Sequence, residues 1–239
     1  MSNLKILFND RNIYVKARFV IDSRFIISVK TNNTGTSQTN QFTIPTLGTG
    51  YNYNIVTSDG QNITGLTGST TITFSSVGTY DIFISGIFPQ LYFNNTGDRL
   101  KLLNLKNFGI YGSGSTSQLS AFFGCNNMVI SATDIGNFNN VTNFSQAWWN
   151  CSSLTSFPLI NTSNGTIFSL TWLGCSGLTS FPLIDTVKGT NFSQAWQFCS
   201  SLTSFPLLNL NKVTSFFQAW RSCTNLTSYP QNAFNLNIA

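Results

Sequence analysis

The sequence predicts a β-rich chain in which an N-terminal antiparallel β-sandwich precedes a solenoid of 24-residue units, each a short strand plus a short helix. Three observations predict this. Cys151, Cys175, Cys199 and Cys223 recur every 24 residues, and other columns keep the same beat. Upstream, short runs that alternate apolar and polar residues are separated by turn residues every ~8–12 positions, which is the pattern of small antiparallel strands. Charged residues are only 8 % of the chain, against an ordinary ~25 %, so the polar surface is carried by Asn, Ser, Thr and Gly.

Taken in order, Ile6–Phe8 and Ile13–Ile21 read as strands, and Phe25–Val29 continues the pattern. Thr31–Asn40 has no apolar residue and reads as a loop, and Gln41–Pro45 is a short strand closed by proline. Tyr51–Val56 alternates strictly and is followed by the turn Ser58–Asp59–Gly60, with further strands at Thr70–Phe74 and Tyr80–Ser85. Arg99–Leu105 is leucine-rich and reads as the first rung of the solenoid, with Lys101 and Lys106 on its solvent side. The expected division is therefore 1–22 as N-terminal strands, 23–90 as the sandwich and 91–239 as the solenoid. Its main repeats span 119–230, and 231–239 forms a cap.

Within the repeats the shared columns are Phe144, Phe168, Phe192 and Phe216; Trp148, Trp172, Trp196 and Trp220; the four cysteines; and Leu154, Leu178, Leu202 and Leu226. Cys125 lies in an imperfect upstream copy. In one unit Phe192, Ala195, Trp196 and Cys199 stand at i, i+3, i+4 and i+7, one face of a short helix. A proline then ends a short extended segment, as at Pro206. The period lies in the range of leucine-rich repeats. These columns are expected to be core, which leaves Trp149, Gln197 and Arg221, outside the pattern, as the candidate contact residues.

The chain carries a net charge of +5, and most of it lies early: Lys5, Arg11, Lys16, Arg18, Arg24 and Lys30 face only Asp10 and Asp22. The first five of these cations are candidates for docking onto an acidic partner. So few charges in the repeats argue against a surface that tracks phosphates, so no nucleic-acid partner is expected. No apolar stretch approaches the ~18 residues of a membrane span, and no export signal is read at the N-terminus. There is no histidine and no glutamate, and the seven aspartates are scattered. The five cysteines occupy one column, a poor layout for disulfides or a metal. No cofactor, metal or catalytic residue is expected. The tail 231–239 either caps the last unit or leaves that end to another chain, which keeps a homo-oligomer open.

The segments NQFTIPTLGTGYNYNIVTSDG, VGTYDIFISG and FNNTGDRLKLLNLKNFG, followed by repeats of the form FxxAWxxCxxLTSFP, resemble the BspA-like surface proteins. In that family a PKD-like or immunoglobulin-like sandwich precedes a leucine-rich repeat of the mycoplasma-lipoprotein type. This chain has Ala-Trp where the family repeat usually has methionine and phenylalanine, and it lacks the usual WGDG turn. The resemblance implies binding without catalysis. The expected role is a virion surface protein of a phage, as a capsid decoration or tail-associated attachment module. It would be joined to other virion proteins through its N-terminal region and display the repeats to a host-surface glycan or protein. A bacterial cell-surface adhesin is the alternative, and a hydrolase with an unrecognised carboxylate site is a third reading.

Overall fold

A computed structural model describes residues 22–227. Its eight strands are β1 (Phe25–Lys30), β2 (Gln41–Ile44), β3 (Asn52–Thr57), β4 (Asn62–Leu66), β5 (Thr70–Thr73), β6 (Thr79–Ile87), β7 (Leu102–Asn107) and β8 (Val129–Ile130). Six of them form one sheet in the order β4-β3-β6-β1-β7-β8, and β2 pairs with β5 in a second, two-stranded sheet. Alternation decides which face is buried. Phe25, Ile27 and Val29 of β1, Tyr53 and Ile55 of β3, and Ile82 and Ile84 of β6 are fully buried, and Phe42, Ile44 and Ile72 of the small sheet join the same core. All neighbours in the large sheet are antiparallel except β7 and β8.

β7 pairs with β1, so sheet and core run across residue 90 without a break. A buried ion pair fixes this junction. Lys101 is read from sequence as solvent-facing, but it is 1 % exposed and donates to Ser37 O, Ser37 Oγ, Gln38 O and Gln41 O at 2.7–3.1 Å. Asp98 lies 3.7 Å from the ammonium and accepts from the amides of Thr36, Ser37 and Thr43 and from Ser37 Oγ. Burial alone would raise the Asp98 pKa, but these donors and the Lys101 charge bring it below the ordinary value. Lys106, by contrast, is on the surface and pairs with Asp81 at 2.8 Å.

The repeats correct the sequence-based expectation. There is no helix among the described residues, and the solenoid of strand-plus-helix units does not form; the fold is a six-stranded sheet, a two-stranded sheet and a long series of turns. Backbone geometry gives the reason. Gln194 and Phe198 have φ of 57° and 61°, and the pairs Ser120 and Gly124, Gln146 and Asn150, Leu170 and Gly174, and Gln218 and Ser222 are left-handed in the same way. A left-handed residue at every fourth position ends a right-handed helix before one turn is complete.

The amides show what replaces it. Ala195, Gln197 and Cys199 close local turns onto Phe192, Gln194 and Trp196 at 3.1–3.3 Å. The alternate amides, of Phe192, Gln194, Trp196 and Phe198, donate to the next copy at Ser215, Phe217, Ala219 and Arg221, at 2.8–2.9 Å. A turn unit of four residues turns Phe192 and Trp196, and likewise Ala195 and Cys199, to the same side, as a helix would. In the other limb of each copy, Ile160, Ile184 and Leu208 donate to Pro158, Pro182 and Pro206 two residues back, which interrupts the extended segment. Among the described residues of the copies, strand geometry is confined to single bridges just before the first limb, such as Asn143 with Ile167 and Ile167 with Asn191.

Phe198 discriminates turn from helix, because glycine has opposite effects in the two. In a helix interior Phe198→Gly would destabilise, whereas at a left-handed, 48 % exposed position it relieves strain. Chemical unfolding is expected to show Phe198→Gly unchanged or stabilised by up to ~1 kcal/mol. Phe198→Val, β-branched at positive φ, is expected to lose about 1–2 kcal/mol.

Candidate binding faces

The sequence-derived contact residues fall in one column. Gly124 donates to Trp149 O, Asn150 to Leu173 O, Gly174 to Gln197 O and Phe198 to Arg221 O, so Trp149, Leu173, Gln197 and Arg221 succeed one another along the copies. Phe123 extends the column, its ring parallel to Trp149 with centroids 4.2 Å apart. Trp149 is half-buried and Arg221 exposed, but Gln197 is 3 % exposed. The Gln197 side-chain amide accepts from Gln194 Nε2 at 2.7 Å and donates to Gln218 Oε1 at 3.4 Å, so it ties neighbours together beneath the surface. Phe198, next to it, is the residue that reaches solvent.

Of the proposed docking cations, Lys5, Arg11, Lys16 and Arg18 lie outside the described residues. Arg24 is engaged within the chain, in an ion pair with Asp22 at 2.6 Å and over the Phe83 ring at 4.5 Å.

The repeated columns fill the interior. Phe144, Trp148, Cys151, Leu154, Phe168, Trp172, Cys175, Leu178, Phe192, Trp196, Cys199 and Leu202 are fully buried. In the last copy Cys223 and Leu226 are also buried, while Phe216 and Trp220 are partly so. Successive indoles lie parallel, with centroids 6.1 Å apart for Trp148 and Trp172 and 5.4 Å for Trp172 and Trp196. Each also meets phenylalanine edge to face: Trp172 is 4.8 Å from Phe181 at 78° and 5.4 Å from Phe157 at 82°. The N–H groups of Trp148, Trp172 and Trp196 have no oxygen or nitrogen acceptor among the described residues.

The cysteines are thiols in a donor ladder. Sγ of Cys151, Cys175, Cys199 and Cys223 lies 3.0–3.2 Å from the carbonyls of Phe122, Trp148, Trp172 and Trp196. Burial pushes the pKa of Cys125, Cys151, Cys175 and Cys199 well up, and that of Cys223 to about 11. This suppresses the thiolate that nucleophilic attack or metal ligation requires. Among the described residues no group of three or more His, Cys, Asp or Glu is placed to hold a metal ion. Several aspartates have structural partners: Asp134 accepts from the Phe108 and Gly109 amides, and Asp59 from Thr57 Oγ1 and Gln61 Nε2.

Two surface features escaped the sequence reading. Threonines form ladders in which amide and hydroxyl both donate to the carbonyl of the preceding threonine. One is Thr142, Thr166, Thr190 and Thr214, and the other is Thr155, Thr179 and Thr203. Leu159, Leu183 and Leu207 form a column of exposed aliphatic side chains, and Ile135, 24 residues before Leu159, is also exposed. Their common spacing of 24 was the available signal. No helix of the described residues is long and apolar enough to cross a membrane. Comparison with protein-family models, curated proteins and solved structures returned no match for this chain.

The buried thiols make stability sensitive to alkali. Their folded pKa values exceed the unfolded value of about 8.5, so stability is complete below that value and is lost as pH rises through the folded values. The melting temperature is expected to fall from about pH 8.5 toward pH 11, and Cys223→Ala to fall less steeply over that interval. Identical slopes for the two proteins would contradict this.

Proposed function

We propose that this chain is a non-enzymatic binding protein of a virion surface, a capsid decoration or tail-associated attachment module, that presents its repeats to a host-surface glycan or protein. The observation that carries the binding reading is that Trp149 and Arg221, half-buried and exposed, lie in one column and reach solvent there, while Leu173 and Gln197 between them are buried. The Phe, Trp, Cys and Leu core columns keep one residue type from copy to copy, whereas this column changes from aromatic to aliphatic to amide to cation. Trp149 and Arg221 are of the residue types that dominate binding energy when truncated. The buried, protonated cysteines and the aspartates held by structural partners support a role without catalysis.

Docking to other virion proteins would fall to Lys5, Arg11, Lys16 and Arg18, since Arg24 is paired. The motif resemblance to BspA-like proteins favours one second reading, a bacterial cell-surface adhesin.

Arg221 is exposed, so its truncation should leave folding unchanged. Binding of the labelled chain to whole host cells is expected to weaken about 30-fold in Arg221→Ala, the loss of roughly 2 kcal/mol typical of a hot-spot residue, with no change in melting temperature. Undiminished binding would reject the column. Turnover of glycans in a broad panel would reject the non-enzymatic reading.

A further inference from the structure

We infer that a second face of the repeats is a self-association surface whose occupant is another copy of this chain. The face is built by Thr155, Ser156, Pro158 and Leu159 and their equivalents Thr179 to Leu183 and Thr203 to Leu207. It belongs to a different limb of each copy from the Trp149 column and stands independently of the function proposed for that column. Leu159, Leu183 and Leu207 are 57 %, 63 % and 56 % exposed. Each leucine is the central residue of a three-residue turn closed from Ile160, Ile184 or Leu208 onto the preceding proline carbonyl. That turn sends its apex side chain outward.

Identity among copies gives the argument its direction. Buried columns repeat because the core requires it, and the threonines repeat because each donates to the one before. Neither reason covers Ser156, Ser180 and Ser204 or the exposed leucines, yet these are the same in all three copies. Partly or fully exposed positions elsewhere drift: Asn150 is succeeded by Gly174, Phe198 and Ser222, and Asn161 by Asp185 and Asn209. A compact ligand would contact one copy and give no reason for the others to match. A partner that matches at every level must share the rise of the stack, and a second stack of the same chain has that rise by construction.

Charge agrees with this choice. None of the repeated Thr, Ser, Pro and Leu positions carries a charge, so a two-fold axis that sets the face against itself brings no like charges together. The nearest charged column holds a single carboxylate, Asp185. Aliphatic side chains flanked by neutral hydroxyls can interdigitate with their own kind as paired sheets do in a dry interface.

Sedimentation velocity of the full chain across the micromolar range tests the inference. The expected result is a concentration-dependent dimer whose dissociation constant rises about 100-fold in Leu183→Asp, with monomer circular dichroism and melting temperature unchanged. Leu183→Ser is a second variant without a new charge and should weaken the dimer in the same direction. A chain that remains monomeric throughout, or a dimer indifferent to both substitutions, overturns the proposal. Retention of monomer on an insoluble neutral polysaccharide, lost in Leu183→Asp, overturns it in favour of a polymer ligand.

Discussion

The backbone hydrogen bonds between consecutive copies are the interaction on which the rest of the repeat region depends. Within Phe192 to Phe198 every second amide is directed at the next copy and the amides between them close local turns, an alternation made possible by left-handed residues at Gln194 and Phe198. Each bond contributes only about 0.5–1.5 kcal/mol net. Four of them per interface, with threonine and cysteine donors beside them, hold every copy in one register. The aromatic and leucine columns then follow, because a fixed translation places each side chain over its counterpart. Charge pairing has little part in this, and the described ion pairs lie among residues 22–106.

Much of this arrangement was legible in the sequence, and its failures have physical causes. Strands with strict alternation, such as Tyr53 and Ile55 in β3, declared their buried face, and the 24-residue beat singled out the residues that fill the interior. The helix was misread because a chain of four-residue turns places i, i+3, i+4 and i+7 together as a helix does. The backbone dihedral angles and amide partners separate the two; Gln146 and Gln194 carry no glycine signal, and glycine stands at the other left-handed position only in Gly124 and Gly174. Lys101 was misread because a lone cation in a leucine-rich run looks solvated. Its partners Ser37, Gln38 and Gln41 are some sixty residues away in sequence.

The candidate sites divide along the same line. Trp149 and Arg221 were recognisable as departures from the repeat, and folding places them in one column. Gln197, chosen on the same grounds, is turned into a buried amide pair. The leucine face was missed because Leu159 follows Phe157 and Pro158 in an apolar run, and only the turn at proline sends it outward while Phe157 and Ile160 go in. The repeats thus carry two kinds of surface, one that varies from copy to copy and one that does not.

The central claim is that the copies from Thr142 onward are held in register by a 24-residue translation, and excision of one copy tests it most directly. Removing residues 168–191 joins Ile167 to Phe192 and restores every column. Removing one residue fewer displaces all later columns by one position. Thermal unfolding followed by circular dichroism should show a cooperative transition for the 24-residue deletion and none for the 23-residue deletion. Equal behaviour of the two, folded or unfolded, would contradict the account.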